Sequence, residues 1–495
     1  MTRLHQPRIA ASKLFCAASF VATALGSSIR ADANTASTWS AVGGGDWSAS
    51  ANWINGSPDA FGGEADLVSN PGITSSSTIT LDEITALGTL IFDNTVGGSS
   101  NSYTVSDGGS ISAGLMFNNV SSQAVIDDEG GNQLISAAIY LQSPTTITVA
   151  NAADTLTFSN SIYGNSSSGT VTIDGPGTVA FSQSMSNVQN TYTITVASGG
   201  NLACGASLPT TSDLVVSGNV NLSSTLPQLI GALNGSGTVN VKTNVSVQGG
   251  GSFAGTITGS GGLEVLGGTL VLSSANTYSG ATLVEKGSLE LTGAASLASS
   301  SMEVANKTTL IVDASLQNPS FSNVVVDGSA TIKCSAATFS SLVVDVGGGV
   351  SLSSTALTLD GGGFTGPLTG NGSLTVAGSV VVDYSLAYSG PTTVSTGTLE
   401  LDAANSLTGN VNVAAGATLF LYKYGTLSAS TNLTNNGTVN VLGSSQFIST
   451  LNGNGAIYMD SGPIAITNGG TFSGSITGVS AMIVDGGTLN LSGSI

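Results

Sequence analysis

From residue 267 the chain reads GGTLVLSSANTYSGATLVEKGSLELTG, and its apolar residues fall on alternate positions. In GGTLVLSS, Leu270 and Leu272 share one side, while Thr269, Val271 and Ser273 share the other. In GSLELTG, Leu289 and Leu291 oppose Glu290, and in GTLELDA, Leu399 and Leu401 oppose Glu400. Successive side chains of a strand point to opposite faces, so a period of two predicts strands with one dry row and one wet row. The runs are about four to six residues long and end in Gly-Gly, Asn-Gly, Gly-Ser or Asp-Gly, which supply the positive φ that tight turns need.

The same pattern recurs at long range. TYSGATLVEKGSLELTGAASL from residue 277 returns as AYSGPTTVSTGTLELDAANSL from 387, and more weakly as TYTITVASGGNLACGASL from 191. The units FSNSIYG, FAGTITG, FTGPLTG and FSGSITG place Phe158, Phe253, Phe364 and Phe472 at intervals of 95, 111 and 108 residues. ALNGSGTVNV from 232 and TLNGNGAIYM from 450 form a second matching set. Four related units follow, the last one cut short, and such a period decides the architecture before any local assignment. A sandwich or barrel has no need of long near-identical units, whereas a solenoid stacks equivalent strands at about 4.8 Å. The expectation is an all-β fold, an elongated parallel β-solenoid (β-helix) with an N-terminal cap-like module. At roughly 20 residues per coil it would make some 20 coils.

Three features of the stretch at 267, Gly-Thr-Leu-x-Leu, Asn-Thr-Tyr-Ser-Gly and Gly-Ser-Leu-Glu-Leu, resemble the autotransporter-associated β-strand repeat of exported bacterial passenger proteins. The resemblance is strong over 262–297, good over 372–407, and partial near 172–207 and after 479. It implies a β-helical passenger, surface-displayed or secreted, with no catalytic residues of its own.

Residues 38–66, TWSAVGGGDWSASANWINGSPDAFGGEAD, differ from the rest and hold all three tryptophans, Trp39, Trp47 and Trp53. They resemble the Trp-Asn-Trp segment that precedes such repeats in exported proteins. Indole rings can stack on sugars, so Trp39, Trp47 and Trp53 are candidate glycan contacts. The competing reading, which we favour, is a cap over the first coil's exposed edge and open interior. Upstream, Arg3, Arg8 and Lys13 precede the apolar run Leu14–Gly26, and Ala31, Asp32 and Ala33 offer a small-x-small cleavage site. This pattern is a secretory signal, too short in its apolar part to span a membrane. Cys16 lies at the start of the apolar run, where a lipidated cysteine would follow it. The expected division is 1–33 signal peptide, 34–125 Trp-containing β module or cap, and 126–495 β-solenoid.

The 495-residue chain has nine Lys and Arg against 28 Asp and Glu, a formal charge of −19. Loss of residues 1–33 removes four basic residues and Asp32, leaving 5 − 27 = −22. Such a surface repels a phosphate backbone, so nucleic acid is excluded as a partner. The sole histidine is His5, inside the leader, so neither a Ser-His-Asp nor a Cys-His arrangement can form downstream. Cys204 and Cys334 lie in strand-like runs that point to small buried side chains rather than to a disulfide. The densest acidic run, Asp127, Asp128 and Glu129, reads as a solvated turn opening a strand. A calcium site there is the weaker alternative.

No catalytic residue, metal or cofactor is therefore expected. The overall expectation is an exported, adhesin-like structural surface protein, a passenger scaffold without catalysis. A polysaccharide-active β-helix enzyme using carboxylates, or a glycan-binding module, are the alternatives. Partners would be an extracellular glycan or a cell-surface component. GGTLNLSGSI at 486–495 stops before the turn that follows the matching strand at 267. On that basis further repeats, then an outer-membrane translocator or a sorting tail, are expected beyond residue 495.

Overall fold

A computed structural model describes residues 36–68, 76–94, 101–119, 122–164, 169–186, 192–403 and 407–495. The proposed leader, including His5 and Cys16, lies outside them. The described residues are almost wholly β, with one short 3-10 turn among them at Ser50–Asn52, and coil into a parallel β-solenoid of about 18 turns.

Each coil pairs in register with the next. One interior column runs Leu270, Leu289, Leu310, Ala330, Val350 and Leu368, all buried. The register advances 19 residues from Leu270 to Leu289, 23 from Thr155 to Thr178 and 18 from Thr238 to Thr256. Coil length therefore varies while the apolar column does not, because stacking needs only an apolar side chain at the inward position. Each coil's row is covered by the coils beside it: Leu272, paired with Phe253 on one side and Leu291 on the other, is fully buried.

The repeat signature is explained by this geometry. In Gly-Gly-Thr-Leu-x-Leu the second glycine turns the corner into the strand: Gly268 has φ +64° and Gly287, at the same place one coil later, +80°. A Cβ on Gly287 would lie 2.1 Å from the Gly268 carbonyl oxygen, so the corner excludes side chains by both conformation and space. The repeat-marking phenylalanines Phe158, Phe253, Phe364 and Phe472 are all interior.

Parallel stacking starts earlier than the expected boundary at 125/126. The column Ala65, Leu90, Ile126, Ile147, Ile173 and Val196 crosses it without a break. The first coils lack the Gly-Thr-Leu-x-Leu signature yet keep the inward apolar positions. Among the described residues one strand pair is antiparallel: Ser37–Trp39 against Trp53–Ile54, at the first coil.

Candidate functional site

The tryptophans are brought together, but inward. Trp39 and Trp53 occupy facing positions of the antiparallel pair, with ring centroids 5.0 Å apart and planes at 87°. Trp47 packs edge-on against Trp53 at 4.8 Å. Each indole N–H donates to a backbone carbonyl: Trp39 to Gly43 at 3.3 Å, Trp47 to Pro58 at 3.1 Å, Trp53 to Trp47 at 2.7 Å. Their exposures are 1, 1 and 5%. This burial fits the favoured cap reading, and it leaves glycan contact at Trp39, Trp47 and Trp53, the weaker alternative, without an exposed ring. A sugar needs an open ring face, and these faces are covered by one another and by the first coils.

The acidic run is also placed differently from the expected solvated turn. It lies inside the strand Ala124–Gly130, where Asp127 and Glu129 point outward and Asp128 inward. Asp128 is fully buried between Phe92 and Val149 of the neighbouring coils. Neither carboxylate oxygen makes a hydrogen bond. Burial is the main reason its pKa rises to about 7, and the Asp154 carboxylate adds to it. Gln133 and the Gly130 backbone oppose this rise, but neither reaches hydrogen-bonding geometry with Asp128. Gln133 is committed elsewhere: its amide donates to the Gly130 carbonyl at 2.8 Å and its oxygen accepts from the Tyr103 N–H at 2.7 Å. Nearby, burial and the Glu64 carboxylate raise Asp66 to about 6. No Lys, Arg or His occurs between residues 36 and 241 to offset these charges. Among the described residues no three His, Cys, Asp or Glu side chains converge as a metal site requires.

The repeat motif itself faces inward. Tyr278 of Asn-Thr-Tyr-Ser-Gly is buried, with its hydroxyl 2.7 Å from the Thr282 hydroxyl. Asn276 is buried as well, accepting from the Ile257 N–H at 2.9 Å and donating to the Ser274 carbonyl at 2.8 Å. Asn276 satisfies backbone groups at a coil corner and Tyr278 pairs with a side-chain hydroxyl inside the coil, so both hold the coil rather than meet a ligand. Cys204 and Cys334 are buried free thiols, and burial pushes the Cys204 thiol up to about 12.

One group of outward, mostly half-buried side chains was missed in the sequence. The strands Thr398–Leu401, Thr418–Leu421, Thr438–Val441 and Ala456–Met459 stack in parallel, and their outward column reads Glu400, Phe420, Asn440, Tyr458. Phe420 lies near-parallel to Tyr422, with centroids 5.6 Å apart and planes at 17°. Tyr458 is 42% exposed. Lys423 sits 4.7 Å over the ring of Tyr424 at the adjoining corner. The available signal was FLYKYG, which puts Phe420 and Tyr422 at the wet positions flanking Leu421.

Among the described residues no helix is long and apolar enough to cross a membrane. No curated protein and no solved structure matches the chain. The passenger-associated-transport-repeat family model matches residues 267–291, 368–401 and 395–419. The first two matches fall where the Gly-Thr-Leu-x-Leu signature is clearest, and the third extends through the following coil to Leu419. With the coil geometry, they make this chain a parallel β-solenoid protein carrying passenger-associated-transport repeats.

Proposed function

We propose that the chain is an exported passenger scaffold of the autotransporter type, adhesin-like in use and without catalysis of its own. The observation that carries this reading is the inward direction of the repeat motif. Leu270, Leu272, Asn276 and Tyr278 are spent on stacking and corner formation, so the repeat specifies a rod and leaves the outer surface free to vary. A stacked-coil rod grows by about 4.8 Å per coil, so about 18 turns extend on the order of 85 Å. That length suits presentation of a surface away from a membrane.

The test is location. Protease added to intact cells of the source bacterium should release solenoid fragments, and antibodies should label unpermeabilised cells or the medium. A chain found only inside intact cells would overturn the reading. Screening the purified protein on a panel of polysaccharides for new reducing ends addresses the catalytic alternative directly, since turnover there would remove the claim of a purely structural role.

A further inference from the structure

We propose that the interior corner between the strands Ala124–Gly130 and Gln133–Ile135 binds one calcium ion, with both carboxylate oxygens of Asp128 and the amide oxygen of Asn94 as ligands. This goes beyond the scaffold reading and does not depend on it.

Unmet acceptors come first. Among the described residues five buried side-chain oxygens lack a hydrogen bond, and three of them belong to Asp128 and Asn94. Both residues are interior, 0 and 4% exposed. Leaving a buried acceptor unpaired is costly, and leaving a buried charge unpaired costs more. No Lys, Arg or His between residues 36 and 241 supplies the missing positive charge.

Placement is the second point. Asp128 pairs with Phe92 and Gly130 with Asp93, and the intervening Glu129 bulges outward. A bulge of this kind bends the strand and re-aims its side chains. Asn94 follows Asp93, so its inward side chain reaches the same corner from the preceding coil. Gly131 keeps the corner clear: a Cβ there would lie 3.0 Å from Gln133 Nε2 and 3.2 Å from Asn94 Cβ. Gln133 thus borders Asp128 on one side and the Asn94 side chain on the other. The Gly131 N–H donates to the Asp154 carboxylate at 2.8 Å, which sets a second negative charge beside the corner.

This set suits calcium. Calcium takes amide and backbone carbonyl oxygens as well as carboxylates, and it binds a carboxylate through both oxygens, so three acidic side chains are not required. Magnesium demands a near-octahedral shell and gives up water reluctantly, which a buried and irregular corner disfavours. The competing occupant is a proton on Asp128, the state favoured by the burial that lifts its pKa to about 7. Calcium would hold the carboxylate ionised and engage the Asn94 oxygen as well, so its effect grows as pH rises and the proton is lost.

The experiment compares the purified chain in EDTA, in millimolar CaCl2 and in millimolar MgCl2, by thermal melting, amide hydrogen exchange and calorimetric titration. Calcium should raise the melting temperature, more strongly above pH 7 than below it. It should slow exchange in Ala124–Gly130 and Gln133–Ile135 and leave Thr418–Leu421 and Thr438–Val441 unchanged. A dissociation constant of about 0.1–1 mM is expected, as for extracellular calcium modules. Asp128→Asn should weaken binding at least about tenfold and Asn94→Ala at least about threefold, the scale on which changes around a bound metal act. Asp127→Asn, outward on the same strand, should leave binding unchanged. If Asp128→Asn loses its β spectrum, Asn94→Ala decides. No calcium effect on melting or exchange, native-like binding by a folded Asp128→Asn or by Asn94→Ala, loss of binding on Asp127→Asn, or equal stabilisation by magnesium would each overturn the proposal.

Discussion

The hydroxyls of Tyr278 and Thr282 meet at 2.7 Å inside the solenoid, and Tyr388 and Thr392 repeat the pairing at 2.5 Å in the second strong copy of the motif. Each tyrosine is buried, so its hydroxyl has no water to fall back on. Tyr278→Phe should therefore leave Thr282 without its partner and destabilise the coil by about 1–2 kcal/mol. Adding Thr282→Val should cost less than the sum of the single changes, because both polar groups then leave together. Hydrogen exchange of the amides in the flanking strands reads this locally, which matters because stacked repeats need not unfold as one unit. Strict additivity would mean the two hydroxyls do not depend on each other.

The two faces of one strand should respond in opposite ways. Leu289 is buried in the interior column between Leu270 and Leu310, whereas Glu290 projects outward from the next position. Leu289→Asp puts a charge into an apolar stack and should destabilise by several kcal/mol. Glu290→Ser should change stability by less than about 0.5 kcal/mol. Denaturant melts of the two variants compare them, and equal losses would contradict the strand phase.

Asp128 should make stability depend on pH. Its folded pKa, about 7, lies above the ordinary carboxylate value of 3.8, so between these values the folded chain holds more protons than the unfolded one. The associated stability is fully present below pH 3.8 and declines as pH rises toward 7, at up to about 1.4 kcal/mol per pH unit. Asp128→Asn should flatten this decline between pH 4 and 7 in denaturant melts. Asp66, raised to about 6, leaves a smaller residual slope. An unchanged slope in the variant would show that Asp128 is not the group responsible.

The indole cluster should behave as a core. Trp39, Trp47 and Trp53 are the chain's only tryptophans, so native emission should be blue-shifted and poorly quenched by acrylamide. Trp47→Ala should destabilise by about 3–5 kcal/mol, as large aromatic deletions in cores do. Ready quenching in the native protein would mean that the rings are open to solvent after all.

The period-two alternation, the glycine corners and the spaced copies of Gly-Thr-Leu-x-Leu were enough to read strands, their dry face and a parallel solenoid from the sequence. They were enough because stacking in a solenoid is nearly local: each inward residue such as Leu270 meets its own equivalent, Leu289, one coil on. Where that equivalence loses its sequence signature, as at Ala65 and Leu90, the coils could be recognised only by their pairing. Direction was the other limit. A tryptophan in a turn-rich segment has no periodicity to say which way it points, and only the antiparallel closure of Ser37–Trp39 on Trp53–Ile54 turns the three indoles inward. Asp128 looked like part of a wet turn because its neighbours are charged. The register against Phe92 and Val149 places it inside, and a raised carboxyl pKa follows from surroundings that no run of residues encodes. The column of Phe420, Asn440 and Tyr458 depends in the same way on coil length, since residues 20 and 18 positions apart become neighbours only when the chain closes each turn.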